Sequence, residues 1–345
     1  MKSGTSQLNW GVLGTARIAE QQVIPAIGRS TNGRVLGVSS GRASDYAQRL
    51  GIERAYASHD ELLADPDIDA VYIPLPNALH RDWTIGAAEA GKHVLCEKPI
   101  ALSPTELDEI ESACGANGVQ FAEAFMYWHH PQIAVVCELM NDGRIGDLVA
   151  IEARFHFVLD VAAGENIRMS GTLAGGALRD IGCYPIDLMN LLAGSAPIDV
   201  AAVATTDHGS PVETGIAAAM GYEGVTGSFS SSFRSAVGDG CTIIGRTGSI
   251  ELRHPFRPDG NEGTGIIIVT AAGGSETIEV QGDSYRREVE DFVRRAIDNA
   301  PDEAGIQLSR WTVQATERIA LVAGLPTGGS PPPSSLLSST TAPRR

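Results

Sequence analysis

A lysine and a tyrosine in this 345-residue chain are of the types that exchange protons with a substrate hydroxyl. Lys98 lies in the run Glu97-Lys98-Pro99, and the following proline favours an extended backbone at the lysine. A phenol such as that of Tyr184 ordinarily has a pKa of about 10, and a nearby ammonium lowers it towards neutral pH. The two residues therefore form a chemically sensible pair. A solvated lysine and a hydrogen-bonded core tyrosine are the ordinary alternatives.

The tyrosine belongs to a glycine-led run that also contains a carboxylate. This run begins at Gly175-Gly176, ends at Asp187, and places Asp180 four residues before Tyr184. On a helix, that spacing puts the two side chains on one face. We therefore expect Asp180 to orient a substrate hydroxyl or the lysine.

A loop of small residues, 11–19, has the pattern of a dinucleotide site. Gly14 permits a tight turn, Ala16 lets the backbone approach a pyrophosphate, and Ala19 lets the following helix pack closely on its strand. The middle glycine of the usual fingerprint is replaced by Ala16, so a plain strand–turn–helix would also accommodate this run.

The end of the second predicted strand indicates which dinucleotide binds. NAD sites place a carboxylate there, whereas NADP sites place hydroxyl and guanidinium groups around the extra phosphate. The run Val38-Ser39-Ser40-Gly41-Arg42 has no carboxylate before Asp45. We expect NADP(H) to be preferred, with NAD(H) possible; the alternative is that Arg42 is a solvated turn residue.

No metal site is expected. The five cysteines are scattered and lack the close spacing of zinc ligands or a redox dithiol, so we interpret them as reduced and mostly buried. His129 and His130 are adjacent, and side chains that are neighbours on a regular element do not face one site. At most one of these two histidines should contact a substrate.

The elements that must position these residues fall into two patterns. From residue 8 to 122, short apolar runs alternate with helical patterns, which is typical of a doubly wound parallel sheet. Ser58 with Glu61 and Ser103 with Glu106 form capping boxes, and Asn77 is expected to cap another helix. The predicted strands cover residues 9–13, 34–39, 55–57, 70–73, 93–96 and 120–122.

The second pattern begins after Met126 and predicts an α+β domain with a large, mostly antiparallel sheet. We expect strands at 148–158, 200–206, 215–222, 227–234, 241–244, 266–271 and 277–280, and closing helices near 284–299 and 308–322. The predicted domains are 1–126 and 127–324, with the last helices able to pack back on the first domain. Residues 325–345 are rich in Pro, Ser and Thr and are expected to form a disordered tail.

Charge and hydropathy exclude several classes of function. A net charge of −16 repels nucleic acids and anionic membrane surfaces. The apolar runs are far shorter than the roughly 20 residues of a membrane helix, and residues 1–9 lack the apolar core of a secretory signal. We therefore expect a cytoplasmic protein whose partner is a small molecule.

Four runs together carry a resemblance to a known family. They are residues 14–19, residues 74–80 (Pro-Leu-Pro-Asn-Ala-Leu-His), Glu97-Lys98-Pro99, and residues 175–187. In this order and spacing they resemble the glucose-fructose oxidoreductase and inositol dehydrogenase family (Gfo/Idh/MocA), over roughly residues 8–322. The resemblance implies an N-terminal Rossmann domain and a second domain whose open sheet forms a homodimer or homotetramer.

The resemblance also assigns site residues. It implies catalysis by Lys98, Tyr184 and Asp180, and it places His80 near the nicotinamide. The implied cofactor-binding residues are Gly14, Thr15, Ala16, Arg17, Ile18, Ser39, Ser40, Arg42, Pro74, Leu75, Asn77, His80, Glu97 and Lys98. The implied substrate-binding residues are Lys98, Tyr127, His129, His130, Asp180 and Tyr184.

The expected activity is hydride transfer between a nicotinamide and a hydroxyl-bearing or carbonyl carbon of a sugar or sugar derivative. Inositol dehydrogenases of the family carry histidine where this chain has Tyr184, so the tyrosine favours aldose dehydrogenases, such as D-xylose dehydrogenases, and sugar ketoreductases. The aromatic residues Phe125, Tyr127 and Trp128 keep a trans-dihydrodiol dehydrogenase open. A non-catalytic, NADP-binding regulatory protein is the remaining alternative.

Overall fold

The computed structural model describes residues 7–160 and 166–328. Within this part, the chain forms two compact units. The first unit comprises residues 7–124 and 285–306, and the second comprises 125–160, 166–284 and 307–328. The expected tail at 325–345 lies outside the described residues from position 329 onward.

The first unit is built on a six-stranded parallel sheet, which confirms the predicted doubly wound domain. Its strand order is β3-β2-β1-β4-β5-β6, and the direction of winding reverses between β1 and β4. Ligands of such sheets bind beside that switch point, at the carboxyl ends of the strands. The strands are β1 (Leu8–Leu13), β2 (Gly33–Ser39), β3 (Arg54–Tyr56), β4 (Ala70–Ile73), β5 (His93–Glu97) and β6 (Phe121–Ala124).

Helices cover the sheet because its central strands are apolar on both faces, with β4 buried at every position. The helices are α1 (Ile24–Arg29, after a π-helical turn at Ala19–Val23), α2 (Ala43–Leu50), α3 (His59–Leu63), α4 (His80–Glu89), α5 (Pro104–Asn117) and α8 (Ser284–Asp298). Ser58 and Ser103 cap α3 and α5, as their spacing to Glu61 and Glu106 predicts.

The prediction that Asn77 caps the fourth helix is wrong. Helix α4 begins at His80, its N-cap is Leu79, and no side chain caps it. Asn77 instead begins a 3-10 turn, Asn77–Leu79, that follows Pro76. The Leu79 N–H donates to the Pro76 carbonyl at 2.8 Å and closes this 3-10 turn, so the helix starts two residues later than an N-cap at Asn77 predicts.

The second unit contains an eight-stranded sheet in the order β14-β13-β12-β11-β7-β10-β9-β8. Neighbouring strands are antiparallel except for β7 and β10, which are parallel. This confirms the mostly antiparallel sheet. The strands are β7 (Leu148–His156), β8 (Asp199–Thr205), β9 (Gly215–Gly221), β10 (Thr226–Ser232), β11 (Asp239–Gly245), β12 (Gly248–Arg253), β13 (Thr264–Ala271) and β14 (Gly274–Gln281).

Strand β12 is absent from the sequence prediction. Its run Gly248–Arg253 mixes two apolar side chains with polar ones, and only Ile250 and Leu252 are buried. The helices of this unit are α6 (Pro131–Asn141), α7 (Cys183–Ala193) and α9 (Glu303–Val322). Helix α7 packs on β7 and β10, where inward residues such as Phe155 and Phe229 alternate with exposed ones.

Two features of residues 7–160 and 166–328 bear on function. In this part of the chain, every helix is too short or too polar to cross a bilayer. The same residues hold no cluster of three or more His, Cys, Asp or Glu side chains arranged to bind a metal ion.

Candidate active site

The glycine-rich loop of the first unit forms a tight turn at the end of β1. Gly14 has a φ of +104°, which favours glycine, and its N–H donates to the Ser39 carbonyl at 2.8 Å. A Cβ built at Gly14 would lie 3.2 Å from the Leu75 side chain. Thr15, Ala16 and Ile18 are partly exposed and Arg17 is exposed, so the start of the helix is open to a phosphate group.

The two serines at the end of β2 have different surroundings. Ser39 is fully buried, and its Oγ lies 2.7 Å from Nδ1 of His59. Burial lowers the pKa of His59 to about 4, and the Trp83 ring packs edge-on against it at 4.6 Å between centroids. The Ser39 hydroxyl is thus directed into the core. Ser40 is partly exposed and Arg42 is exposed, and the Arg42 N–H donates to Ser40 Oγ at 3.0 Å.

His80 joins the loops that follow β4 and β5. It is fully buried, and its Nδ1 and Nε2 each lie 2.7 Å from a backbone carbonyl, those of Pro99 and Leu75. Burial lowers the pKa of this imidazole, while the two carbonyl contacts act in the opposite direction. His80 therefore holds the segment after Lys98 against the segment that contains Leu75, and both its ring nitrogens are engaged by the protein.

Glu97 lies over a buried acidic cluster that the sequence analysis missed. The Tyr72 hydroxyl donates to Glu97 Oε1 at 2.5 Å. Glu288, on α8, is fully buried; burial and then the nearby Glu97 charge raise its pKa well above the ordinary value. Burial of this kind favours the neutral form of a carboxyl. Helix α8 thus closes the first unit beneath the Glu97-Lys98-Pro99 run.

In the second unit, Asp180 and Tyr184 lie on one helical segment, as predicted. A π-helical turn, Leu178–Gly182, contains Asp180 and leads directly into α7, which contains Tyr184. The Tyr184 side chain is almost buried, and its hydroxyl lies 3.8 Å from the Met126 sulfur.

Aromatic rings surround this tyrosine. The centroids of Phe125 and Phe155 lie 5.3 Å from that of Tyr184, Phe256 lies at 5.5 Å and Tyr127 at 6.2 Å. These five residues are called the aromatic cage below. The rings come from three separate parts of the second unit, and edge-on or tilted contacts of this kind fix ring orientation.

An arginine that the sequence analysis missed pairs with Asp180. Arg168 Nε donates to Asp180 Oδ2 at 2.7 Å, and the Asp180 carboxylate is largely buried while the arginine is partly exposed. The ion pair holds the carboxylate in one orientation. No motif marks Arg168, which lies in the short 3-10 turn Ile167–Met169, twelve residues before its partner.

Gly175 and Gly176 leave room for the close contacts around the ion pair of Arg168 and Asp180. A Cβ at Gly175 would lie 2.3 Å from the Arg168 carbonyl oxygen, and one at Gly176 would lie 2.3 Å from Glu213 Oε1. Glu213 is buried and accepts the Leu178 N–H at 2.9 Å, so it caps the segment that contains Asp180. Burial raises the pKa of Glu213. The glycines are therefore required for close approach of Arg168 and Glu213.

The structure distinguishes the two adjacent histidines. His130 is buried; its Nδ1 accepts the Gln132 N–H at 3.2 Å and its Nε2 lies 3.0 Å from the Gly263 carbonyl. His130 is thus a helix cap, whereas His129 is partly exposed. The Tyr127 side chain is fully buried and its hydroxyl donates to Asp187, so the structure does not expose this predicted substrate contact.

Each unit thus presents one kind of chemistry. The first has a loop that fits a pyrophosphate, exposed hydroxyl and guanidinium groups at the end of β2, and the partly exposed Lys98 after β5. The second has a phenol in an apolar cage, one turn from a fixed carboxylate. A phenol and a lysine are suited to proton exchange, and the loop to a dinucleotide.

Comparison with known proteins identifies relatives of both units. Residues 8–125 match the oxidoreductase family with an NAD-binding Rossmann fold, GFO/IDH/MocA, and residues 133–251 match the GFO/IDH/MocA C-terminal domain. A D-xylose 1-dehydrogenase (NADP+) of Haloferax volcanii is 38% identical over 289 residues, covering 83% of this chain and 88% of the relative.

Two further relatives are named as reductases, and the first of them is named for a nucleotide-linked sugar. A dTDP-3,4-didehydro-2,6-dideoxy-alpha-D-glucose 3-reductase of Streptomyces violaceoruber is 34% identical, covering 86% of this chain and 89% of the relative. Among solved structures, a 3-ketoreductase from Actinomadura kijaniata in complex with NADP and TDP-benzene superimposes with a TM-score of 0.85 at 26% identity, covering 91% of this chain and 97% of that one.

Proposed function

The chain belongs to the GFO/IDH/MocA family of oxidoreductases, and from that premise we propose that it transfers a hydride between NADP(H) and a carbon of a sugar or sugar derivative. The substrate carbon bears a hydroxyl in one direction and is a carbonyl in the other. The observation that carries the proposal is the placement of Tyr184 in an aromatic cage, one helical turn after the carboxylate of Asp180.

The first unit fits the dinucleotide. Gly14 leaves room for a pyrophosphate where a larger residue would meet Leu75, and the exposed Arg42 with Ser40 suits a ribose phosphate. The relatives named for NADP support the same cofactor. Ser39 contributes through its backbone, since its hydroxyl is directed to His59. Thr15, Ala16, Arg17, Ile18, Pro74, Leu75 and Asn77 complete the proposed contacts.

The second unit and Lys98 provide the proton chemistry. In the oxidative direction, NADP held at the Gly14 loop would supply the acceptor for the hydride of the carbinol carbon. Tyr184 accepts the hydroxyl proton of the same carbon, which leaves a carbonyl. Lys98 stabilises the tyrosine phenolate, and Asp180, held by Arg168, orients a neighbouring substrate hydroxyl. Partly exposed His129 is the proposed substrate contact of the histidine pair.

The aromatic cage favours a second candidate, a trans-dihydrodiol dehydrogenase. Rings such as Phe155 and Phe256 stack at 5.5 Å with an interplanar angle of 17°, and flat hydrocarbon substrates pack well against such surfaces. A regulatory protein that binds NADP without turnover is less favoured, because it has no use for the tyrosine and lysine together.

We propose a homodimer or homotetramer in the cytoplasm. The exposed face of the eight-stranded sheet carries Val203, 70% exposed, beside polar residues such as Ser228 and Ser230, and provides a surface for self-association. All five cysteines are free, and four of them are buried, which suits a reducing compartment.

A substrate panel crossed with both cofactors tests the activity. Pentoses, hexoses, keto-sugar nucleotides and cyclic diols are each incubated with NADP or NAD, or with the reduced forms, and absorbance of the reduced nicotinamide is followed. We expect turnover with a sugar class and a higher kcat/KM with NADP. Turnover with cyclic diols alone would establish the second candidate, and no turnover with tight NADP binding would establish the regulatory one.

A further inference from the structure

We propose that Asp187 is a positioning residue, a buried carboxylate that fixes Tyr127 and Trp128 beside the aromatic cage. The inference rests on the proposed function, because it concerns the surface that would contact the substrate. Asp187 lies one turn after Tyr184 on α7. Neither the glycine-rich loop nor the tyrosine motif assigns it a role.

The carboxylate is fully buried and contacts two elements besides its own helix. Its Oδ1 accepts hydrogen bonds from the Tyr127 hydroxyl at 2.5 Å and from Trp128 Nε1 at 2.6 Å. Its Oδ2 accepts a hydrogen bond from the Thr312 hydroxyl at 2.8 Å. Tyr127 and Trp128 belong to the 3-10 turn Met126–His129, and Thr312 belongs to α9. One side chain of α7 therefore fixes this turn and α9 together.

The hydrogen bonds extend along α7 and all run towards the carboxylate. Asn190 Nδ2 donates to Thr312 Oγ1 at 3.3 Å, and the Tyr222 hydroxyl donates to Asn190 Oδ1 at 2.9 Å. Asn190 and Tyr222 are also buried. Each donor is polarised by the next, and such chains strengthen their members in a medium of low dielectric. Asp187 is the acceptor at the end of the chain.

The three groups that donate to Asp187 are neutral, so no cation offsets the free-energy cost of burying its carboxylate. We take orientation of the donors to be what this cost provides. Burying a carboxylate without a cation is unfavourable, and a well-packed apolar residue of similar size would stabilise a core at least as well. A carboxylate differs from an apolar residue because it accepts hydrogen bonds in fixed directions. It can therefore hold an indole and a phenol in single orientations that packing alone leaves free.

The orientation of Trp128 matters because this ring is partly exposed and contacts the cage. Its centroid lies 5.3 Å from that of Phe125, and Phe125 in turn lies 5.3 Å from Tyr184. Rotation of the indole would therefore change its contact with Phe125, a member of the cage next to the tyrosine. Asp187 thereby controls how a sugar ring is seated against the partly exposed Trp128, while the nucleotide-binding loop is unaffected.

The test compares the full-length protein with the variant Asp187→Asn. At pH 8.5, above the value of about 7 to which burial raises the pKa of Asp187, the amide keeps one oxygen acceptor but removes the charge. We expect the indole N–H resonance of Trp128, identified by Trp128→Phe, to move upfield in a 15N-correlated spectrum, while those of the other tryptophans stay in place. For the preferred sugar, KM should rise about 10- to 100-fold, the range for loss of a charged hydrogen bond, with kcat less affected and NADP affinity unchanged.

Thr312→Val provides a second variant that keeps the carboxylate, with Thr316→Val on the same helix as its matched control. Thr312→Val should raise the KM for the sugar by a smaller factor than Asp187→Asn does. Thr316→Val should leave this KM unchanged. If Asp187→Asn does not fold, a KM for Thr312→Val equal to that of Thr316→Val overturns the inference. An unshifted Trp128 resonance in a folded Asp187→Asn overturns it as well.

These outcomes are separable from the proposed function. The resonance of Trp128 is measured without substrate, so it decides whether Asp187 holds the indole even if no sugar is turned over. Conversely, an active wild-type enzyme whose Asp187→Asn variant keeps both the resonance and the sugar KM would leave the proposed function intact and remove the positioning role.

Discussion

The two units build their halves of the chemistry in different ways. In the first unit, the candidate cofactor residues follow the ends of adjacent parallel strands, and each group is a short continuous run such as 14–18 or Ser39 to Arg42. In the second unit, Tyr184 is surrounded by rings that lie 59, 29 and 72 positions away in the chain, those of Phe125, Phe155 and Phe256. A site built from backbone groups therefore uses residues that are neighbours in the chain, whereas a site built from side chains draws on residues that are far apart in it.

The glycines show the same contrast. Gly14 and Gly176 both have strongly positive φ values, +104° and +108°. A Cβ at Gly14 would approach only the flexible end of Leu75, so the open space there suits a ligand. A Cβ at Gly176 would collide with the buried carboxylate of Glu213. We propose that the first glycine leaves space for a cofactor, whereas the second leaves space for the protein's own side chain.

Removing the hydroxyl of Tyr184 should have the largest effect on turnover. We expect Tyr184→Phe to lower kcat by about 100- to 10,000-fold, the usual contribution of a general acid or base, with NADP affinity unchanged. Steady-state kinetics and a fluorescence titration with NADPH would measure both. Tyr46→Phe in the first unit is the control, because this buried hydroxyl has no hydrogen-bond partner among the described residues. Equal rates for the two variants would refute the role of Tyr184.

Replacing Gly14 or Gly176 by alanine tests the difference between the two units. Gly176→Ala should destabilise the protein by about 3–5 kcal/mol, since it combines backbone strain with a clash against Glu213. Gly14→Ala should cost about 1–2 kcal/mol from strain and should weaken NADP binding. Urea unfolding and cofactor titration of both variants check this. A Gly14→Ala variant as unstable as Gly176→Ala would remove the distinction.

The two units should also respond oppositely to pH. Burial raises the pKa of Asp187 to about 7 from 3.8, partly offset by its hydrogen bonds. Between pH 3.8 and about 7, Asp187 keeps its proton in the folded chain and loses it in the unfolded chain. The free energy of unfolding therefore falls as the pH rises through this range. Burial lowers the pKa of His59 from 6.5 to about 4, so there stability falls as the pH drops below 6.5.

Across its full range, Asp187 should contribute roughly 4 kcal/mol and His59 roughly 3 kcal/mol. The measurement is the free energy of unfolding of wild type minus that of Asp187→Asn, or of His59→Gln, at pH values from 4 to 7.5. The first difference should decline with rising pH and the second with falling pH. Parallel slopes for the two variants would contradict the assigned protonation states.

The smallest effect is expected at the cofactor phosphate. Arg42→Ala should raise KM for NADP by about 10- to 50-fold, because one charge-assisted hydrogen bond is lost from an exposed position. KM for NAD, which lacks this phosphate, should stay the same and serves as the internal control. An equal rise for both cofactors would mean that Arg42 supports the loop rather than the phosphate.

Local patterns predicted most of the elements and part of the site. Each strand of the first unit is found within two residues of its predicted bounds, and two capping boxes occur as expected. The four-residue spacing of Asp180 and Tyr184 correctly placed both on one helical segment. The patterns failed for Asn77, because a 3-10 turn separates this residue from the start of the helix. They also failed for β12, because its run has too many polar residues to be recognised as a strand.

The amino-acid sequence alone determined the doubly wound sheet, the family and the residues that could exchange a proton, because strand periodicity, turn glycines and short motifs act between neighbours in the chain. Tertiary structure alone decided that Arg168 holds Asp180, that His130 is a cap, and that Asp187 receives Tyr127, Trp128 and Thr312. These contacts join residues from separate elements, and what makes them is the burial of polar groups that must find partners once the elements pack together.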